Sequence, residues 1–176
     1  IKAAYLTALG AVDGMLIGGK LSVTVASNNI TVAIVTNSGA TPSSNSPVAV
    51  KINNTIRKIT GSLSVTVNAG TNSFNAGAAE FAAKSVQYFA YLSWRAASSA
   101  VVIGFSRVPF ANVYSDFSAT ATNEKYGAFS TAPASTDDCI VVGRFTATLS
   151  AGAGYTWTVP TFTSSNLIQR PIYETD

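Results

Sequence analysis

The sequence has no histidine and a single cysteine, Cys139. The lack of histidine excludes Ser-His-Asp and Cys-His nucleophilic sites and histidine-ligated metal centres. A lone cysteine also excludes an intrachain disulfide. Cys139 begins an apolar run and directly follows Asp137 and Asp138, whose charges disfavour a thiolate. We therefore predict that Cys139 is a buried and unreactive thiol.

Charged residues are scarce, at 11% of the chain against about 25% in an average protein. The formal net charge is only +3, and the basic residues are scattered apart from adjacent Arg57 and Lys58, with Lys51 across a predicted hairpin. No basic stripe indicates nucleic-acid binding, and no apolar stretch is long enough to indicate membrane insertion. A surface of Ser, Thr and Asn is typical of extracellular or virion β proteins, or of subunits covered by neighbours.

No group of acidic residues predicts catalysis or metal binding. Among the eight carboxylates, Asp116 and Glu124 are the best candidates for a glycosidase pair because aromatic residues flank them, but we expect them to be solvated loop residues. Asp137 and Asp138 lack the D-x-D-x-D-G spacing of a calcium loop and fit an ordinary turn. The glycines form no phosphate-binding motif. We expect no enzyme activity, no cofactor and no metal site.

Alternation of apolar and polar residues dominates the chain after residue 19 and is typical of half-buried strands. Asn28-Asn29 and Asn53-Asn54 interrupt it where hairpin turns are expected. We predict hairpins over 20–35 and 47–60, and strands over 62–67, 86–94, 100–109, 125–130 and 139–150.

About ten to twelve short strands with little helix predict an all-β antiparallel sandwich, of which a jelly-roll-like arrangement is one form. The glycine-rich residues 1–19 are expected to form a short N-terminal arm, with a short helix over 2–9, that packs on the body or on a neighbour. Residues 20–176 then form the sandwich domain. Because the chain begins with Ile, we expect it to be processed or part of a longer polypeptide.

The stretch VQYFAYLSW at 86–94 carries aromatic residues on both faces of its predicted strand. Tyr88 and Trp94 alternate with Phe89 and Tyr91, so both faces should be covered, one of them by another element or a second subunit. Tyr88 and Phe89 are predicted core or interface residues. Tyr91 and Trp94 are the candidates for contact with a partner or a glycan.

The stretch RFTATLSAGAGYTWTVPTF at 144–162 reads as a hairpin with an Ala-Gly link. Tyr155 and Trp157 share one face of its second strand, and threonines take the other. This ordering predicts that Tyr155 and Trp157 are core or interface residues rather than a sugar-stacking platform.

Three long strings, IGFSRVPFANVYSDFSATATNEKYGAFST, GRFTATLSAGAGYTWTVPTF and SNLIQRPIYET, resemble stretches of tailed-bacteriophage and prophage virion proteins, often near tail or adhesin modules. The resemblance spans roughly 20–173. It implies a virion component but no mechanism, and it transfers no catalytic or binding residue.

These observations together lead us to expect a virion structural protein, attached to the tail or head, whose partners are copies of itself and other virion proteins. A homo-oligomer would cover apolar outer faces and sheet edges, and a trimer is favoured. The alternative is a receptor- or glycan-binding module at a fibre tip, with a host-surface glycan as its partner.

Overall fold

The computed structural model describes residues 12–67, 84–107, 127–134, 136–150 and 156–166. Within these ranges the chain forms eleven strands and one short 3-10 turn, Ala96–Ser98. The strands are β1 Leu16–Ile17, β2 Gly19–Ala26, β3 Asn29–Thr36, β4 Val48–Ile52, β5 Thr55–Ile59, β6 Leu63–Val67, β7 Ser85–Arg95, β8 Ala100–Ser106, β9 Gly127–Phe129, β10 Asp138–Thr148 and β11 Phe162–Ser165.

Two tight hairpins form where the alternating pattern is broken by small polar residues. The β2–β3 turn has positive φ at Ser27 (47°) and Asn28 (64°), and the β4–β5 turn has positive φ at Asn53 (46°) and Asn54 (59°). Positive φ at both central residues is the mark of a type I′ turn, whose twist matches that of the flanking strands. Both predicted hairpins are confirmed, although the first turn lies one residue earlier than the sequence suggests.

The larger sheet has five antiparallel strands in the order β11-β10-β7-β8-β9. Strand β10 returns to lie beside β7, so β7 to β10 have the spatial order 4-1-2-3 of a Greek key. The register between β7 and β10 shifts between Val141 and Gly143. This β-bulge places Val142, which is fully buried, in the core.

Two three-stranded sheets, β2-β3-β6 and β1-β4-β5, form the opposing side. They are joined through β1 and β2, which are separated by one residue, Gly18, with φ at 77°. A bend of this kind lets a continuous segment pass from one sheet to the other, and glycine adopts it without steric cost.

The core lies between the five-stranded sheet and these two sheets. Ile30, Val32 and Ile34 of β3 are fully buried, and each is paired with apolar residues of β2 and β6 that point to the same side. The buried core cluster takes residues from all three sheets, including Leu21, Ile30, Val32, Ile34, Val48, Val50, Ile52, Val65, Tyr88, Leu92, Ile103, Phe105, Val142, Phe145 and Trp157. The predicted all-β antiparallel sandwich is therefore confirmed.

Side chains at and just after the end of β11 connect the edge of the five-stranded sheet to β1 and β2. The Leu16 N–H donates to Asn166 Oδ1 at 2.7 Å, and Asn166 Nδ2 donates to the Leu16 carbonyl at 3.3 Å. The Leu21 N–H donates to Ser165 Oγ at 2.8 Å. These bonds satisfy backbone groups of β1 and β2 that face the edge of the other sheet.

The structure places the second half of the predicted arm in the fold. Leu16 is buried and pairs with Val50 of β4, and the Gly14 N–H donates to the Lys51 carbonyl at 2.8 Å. The expected helix over 2–9 lies outside the described residues, as does the Ala-Gly link at 151–154. In the described part of the chain, no helix is both long and apolar enough to span a lipid bilayer.

Candidate functional site

The predicted core aromatics of the inner face form one cluster. The Tyr88 ring lies 5.3 Å from Phe145 and 5.5 Å from Trp157, centroid to centroid, and Phe105 lies 6.1 Å from Trp157. Trp157 is only 3% exposed and pairs with Leu149 across the end of the 144–162 hairpin. Burial raises the pKa of Tyr88 above its ordinary value, against a smaller lowering by Arg107. Tyr88 and Trp157 are thus core residues, while Tyr155 lies outside the described residues.

On the outer face of the five-stranded sheet, Tyr91 has 0% exposure. Half-buried Phe89, Phe129, Cys139 and Val141 pack against it. Burial, and to a lesser degree the Cys139 thiol, raises the pKa of Tyr91 to about 12. Tyr91 therefore offers no ring face to a sugar, contrary to the expectation from the sequence, because the chain itself covers it.

At the middle of β7, both faces of the strand are covered by residues of the same chain, as the sequence predicted for a strand with aromatic residues on both faces. Tyr91 and Ser93, on the outer face, are as completely buried as Ala90 and Leu92 on the inner face. A second subunit is not needed at this position. Cys139 is half-buried rather than buried, beside Tyr91.

Trp94 lies on the inner face at the end of β7 and is half-buried. The Arg57 guanidinium of β5 lies over its ring, with Cζ 3.6 Å from the ring centroid. Arginine favours this stacked position because its planar, weakly hydrated cation is attracted to the negative face of the indole. The Arg57 Nε is buried and has no hydrogen-bond partner.

Beside Trp94, an open groove of about 260 Å³ lies at this end of the sandwich. It is bounded by the β5–β6 connection and by the turn from β7 to β8. Its lining combines one aromatic ring, aliphatic side chains, hydroxyl groups and one lysine: Lys58, Ile59, Thr60, Gly61, Ser62, Leu63, Trp94, Ser99, Ala100 and Val101. An aromatic ring next to hydroxyl and backbone polar groups is a lining that suits a small polar ring.

The acidic residues near this end have structural partners. Asp137, 4% exposed, accepts the Ala96 N–H at 3.1 Å and the Ala134 N–H at 2.7 Å, one with each carboxylate oxygen. Asp138 Oδ2 accepts from Asn53 Nδ2 at 3.0 Å. No cluster of three potential metal ligands occurs in the described ranges. Asp116 and Glu124 lie outside them.

A second feature is exposed apolar surface along β11 and the segment before it. Val159 is 69% exposed and Phe162 is 45% exposed. Arg144 lies over Phe162, with Cζ 5.3 Å from the ring centroid. Because Arg144 pairs with Phe89, and Phe162 with the neighbouring Thr146, these side chains share the outer face with Tyr91.

The sequence identified Trp94 but not the residues around it. In the sequence, Arg57 is distinguished only as a basic neighbour of Lys58. The groove forms because the β5–β6 connection lies beside the end of β7, which the sequence does not indicate. The available signal was the position of Arg57 in the second predicted hairpin, where it pairs with buried Val50 and shares a face with buried Ile59.

Comparison with known proteins gives no further assignment: no family model, no curated protein and no solved structure matches this chain.

Proposed function

We propose that this chain is a structural protein of a bacteriophage virion and that it assembles with copies of itself through the outer face of its five-stranded sheet. The observation that carries the assembly step is Phe162, which is 45% exposed on the edge strand of that sheet, next to Val159 at 69%. We take these two exposed side chains as the apolar part of the proposed contact, since interaction sites are commonly contiguous apolar patches. The virion assignment is supported by the likeness to phage strings and by the low charge.

The geometry limits where the interface lies. Tyr91 and Ser93 are already covered, so the proposed contact is at the β10–β11 side of the face, around Phe162 and half-buried Phe89. Complete burial of a Phe side chain stabilises an assembly by about 1.5–3 kcal/mol, so the half-exposed Phe162 contributes roughly half of that for each subunit.

The edge of the sheet also favours pairing with a second copy. Residues 156–166 contain no charged side chain, and charges on edge strands are the usual protection against edge-to-edge pairing. Ser165 and Asn166 are occupied within the chain by β1 and β2. Phe162 and Thr163 are exposed and are the part of β11 at which a neighbouring chain would dock.

Light scattering coupled to gel filtration tests the assembly. We expect a homo-oligomer, with a trimer favoured, and we expect the double variant Val159→Ser/Phe162→Ser to dissociate it. Val12→Ser is the control, because Val12 is 44% exposed and precedes β1, which pairs with β4 rather than with β11. A wild-type protein that remains a soluble monomer at micromolar concentration contradicts the proposal.

The virion assignment has a separate test. Particles purified from the host that carries the gene are examined by mass spectrometry for peptides of this chain, and antibodies then locate it by electron microscopy. We expect the chain in the particle, on the tail or the head. Expression of the chain together with its absence from purified particles contradicts the assignment.

A glycan-binding module is the second candidate, and the groove beside Trp94 favours it. The groove combines an aromatic ring with Thr60, Ser62 and Ser99, which supply hydroxyl groups. A glycan array with the full chain tests this role, and Trp94→Ala should abolish any signal found. An array on which the wild-type chain binds nothing rules this candidate out.

A further inference from the structure

Strand β5 forms one edge of the β1-β4-β5 sheet. It pairs with β4 on one side, and no strand in the described ranges pairs with its other side. Solvent reaches this strand, since Thr55 and Lys58 are exposed and Ile56 is half-buried. Lys58 also borders the open groove of about 260 Å³ at the end of the sandwich. An edge strand of this kind presents backbone donors and acceptors with which a further strand can pair.

The β4–β5 turn determines which backbone groups of β5 point to the free edge. Ile52 and Thr55 flank the two turn residues, and the carbonyl of the first residue of such a turn accepts the N–H of the fourth. Hydrogen-bonded and non-hydrogen-bonded pairs then alternate along an antiparallel ladder. Ile56 and Lys58 therefore lie in non-hydrogen-bonded pairs with β4 and turn their N–H and C=O groups outward.

Hydrogen bonds elsewhere in this sheet agree with that alternation. The Lys51 carbonyl, opposite Ile56, accepts the Gly14 N–H at 2.8 Å on the side of β4 away from β5. At the β1 edge, the outward groups of Leu16 are bonded to the Asn166 side chain. Among the described residues, no backbone group bonds to the outward groups of β5. The β1 edge is therefore closed within the chain, and the β5 edge is open.

The charges of β5 indicate what kind of strand fits its edge. The strand carries Arg57 and Lys58 and no acidic residue. Exposed Lys58 shares a face with Ile56 and would lie opposite a side chain of the added strand. Opposite charges in such cross-strand pairs stabilise a sheet, so an acidic residue is favoured at that position.

A second copy of this chain fits the edge less well. A pairing that joins Ile56 of each copy to Lys58 of the other places the two Arg57 side chains directly opposite each other, and like charges in that position are destabilising. Lysine on an edge strand is also a usual protection against edge-to-edge pairing. The edge therefore favours a different protein that carries the opposite charge.

We propose that the free edge of β5 binds an extended segment of a partner protein by strand addition, with an acidic side chain of that segment opposite Lys58. Backbone hydrogen bonds to Ile56 and Lys58 supply the affinity, and the acidic residue supplies the selectivity. Strand β11, where copies are proposed to meet, belongs to another sheet, so this inference does not rest on the proposed function.

Hydrogen exchange of the free chain, followed by NMR, tests whether the edge is open. The Ile56 and Lys58 amides should exchange at least about tenfold faster than those of Thr55, Arg57 and Ile59, which are bonded to β4. Equal protection of these amides would mean that the edge is covered, and the inference would then be wrong.

Peptides test the strand addition itself. The probe is a peptide of sequence Thr-Val-Glu-Val-Glu-Val-Thr, blocked at both ends. One control has Lys in place of each Glu, and the other is the Glu peptide with both Glu nitrogens methylated, which removes N–H groups that would pair with β5. In NMR titrations we expect the Glu peptide to shift and protect the Ile56 and Lys58 amides. It should bind at least about threefold more tightly than the Lys peptide and about tenfold more tightly than the methylated one.

Variants separate backbone pairing from charge. Ile56→Pro removes an N–H that points away from β4, so the strand should remain paired while the affinity for the Glu peptide falls at least about tenfold. Lys58→Glu should reverse the order of the Glu and Lys peptides. Lys20→Glu is the matched control, because it makes the same charge change at an exposed position of β2, in another sheet, and should leave the order unchanged. Thermal unfolding shows whether each variant remains folded.

The outcomes decide between this partner and the others. If millimolar Glu peptide shifts neither the Ile56 nor the Lys58 amide, the inference is wrong. If the Glu and Lys peptides bind equally and Lys58→Glu changes neither, the edge accepts strands without regard to charge, and the acidic partner is wrong. If gel filtration shows that Ile56→Pro dissociates a homo-oligomer, a second copy occupies the edge, and the inference is also wrong.

Discussion

Replacement of Asn166 tests how the sandwich is closed along the β11 side. In the wild-type chain the Asn166 amide forms two hydrogen bonds with the backbone of Leu16, at 2.7 and 3.3 Å. Asn166 also has φ at 56°, in the left-handed region that alanine disfavours. Each hydrogen bond contributes about 0.5–1.5 kcal/mol net, and the left-handed conformation costs alanine roughly 1–2 kcal/mol. Asn166→Ala should therefore lower the free energy of unfolding by about 2–5 kcal/mol.

Two further variants divide this loss into its parts. Asn166→Asp keeps the Oδ1 acceptor for the Leu16 N–H but places a second acceptor oxygen opposite the Leu16 carbonyl, so we expect a loss of about 1–2 kcal/mol. Asn166→Gly adopts positive φ freely but loses both bonds, which places it between Asp and Ala. The expected order of stability is wild type, Asp, Gly, Ala.

Urea denaturation measures these differences, with the slope checked for constancy across the series. Hydrogen exchange of the Leu16 amide gives a local readout, because this N–H should exchange at least about tenfold faster in Asn166→Ala and Asn166→Gly. If Asn166→Ala unfolds within about 0.5 kcal/mol of wild type and the Leu16 amide keeps its protection, the side-chain closure does not hold the two layers together.

The remaining predictions concern the core and the outer face. In a Trp94→Phe background, the fluorescence emission of Trp157 should be shifted to the blue and should resist quenching by iodide, and a water-exposed spectrum would contradict the core assignment. Trp157→Ala should lower the free energy of unfolding by about 3–5 kcal/mol, measured by urea denaturation. Burial raises the pKa of Tyr91 to about 12, so as the pH rises the Tyr91 hydroxyl loses its proton in the unfolded chain before it does so in the folded chain. The contribution of Tyr91 to stability is therefore intact below about pH 10. That contribution should fall between about pH 10 and 12 by up to about 1.4 kcal/mol per pH unit, and Tyr91→Phe should reduce the fall in pH-dependent denaturation. Gly104→Ala should destabilise the protein by about 1–3 kcal/mol, since the new Cβ would overlap the Phe129 ring and lie 2.5 Å from the Ala128 carbonyl oxygen. Gly61→Ala is the control and should be neutral, because a Cβ at Gly61 meets open space.

The strands were predictable because their signals are local. Alternation in β2, β3 and β6 fixes which residues face the core, and Asn53-Asn54 supplies the positive φ that a type I′ turn needs. The assignment of Trp157 to the core follows from the same alternation, since Thr156 and Thr158 on either side of it are polar. Alternation does not distinguish the two faces around Tyr88, because both carry aromatic residues.

The position of Tyr91 was less predictable because alternation reports the face of a strand and not what covers that face. Its pairing with Gly104 across β7 and β8 leaves space that Phe129 of β9 occupies, and this depends on strands that are distant in sequence. The stacking of Arg57 on Trp94 depends likewise on the packing of β5 against β7. Local sequence therefore identified the aromatic residues but not which of them remains accessible.

The two proposed surfaces belong to different faces of the same sheet, and this separates their functions. Trp94 lies on the inner face at the end of β7, beside the groove, whereas Phe89 shares the outer face with Arg144 and Phe162. Contacts between copies through the outer face would leave the groove at the end of the sandwich open to solvent. A homo-oligomer assembled in this way would present several identical grooves at once. Since linked sites gain avidity beyond the affinity of each one, the proposed oligomer would bind a repeating ligand more tightly than a single copy would if each groove binds one unit of it.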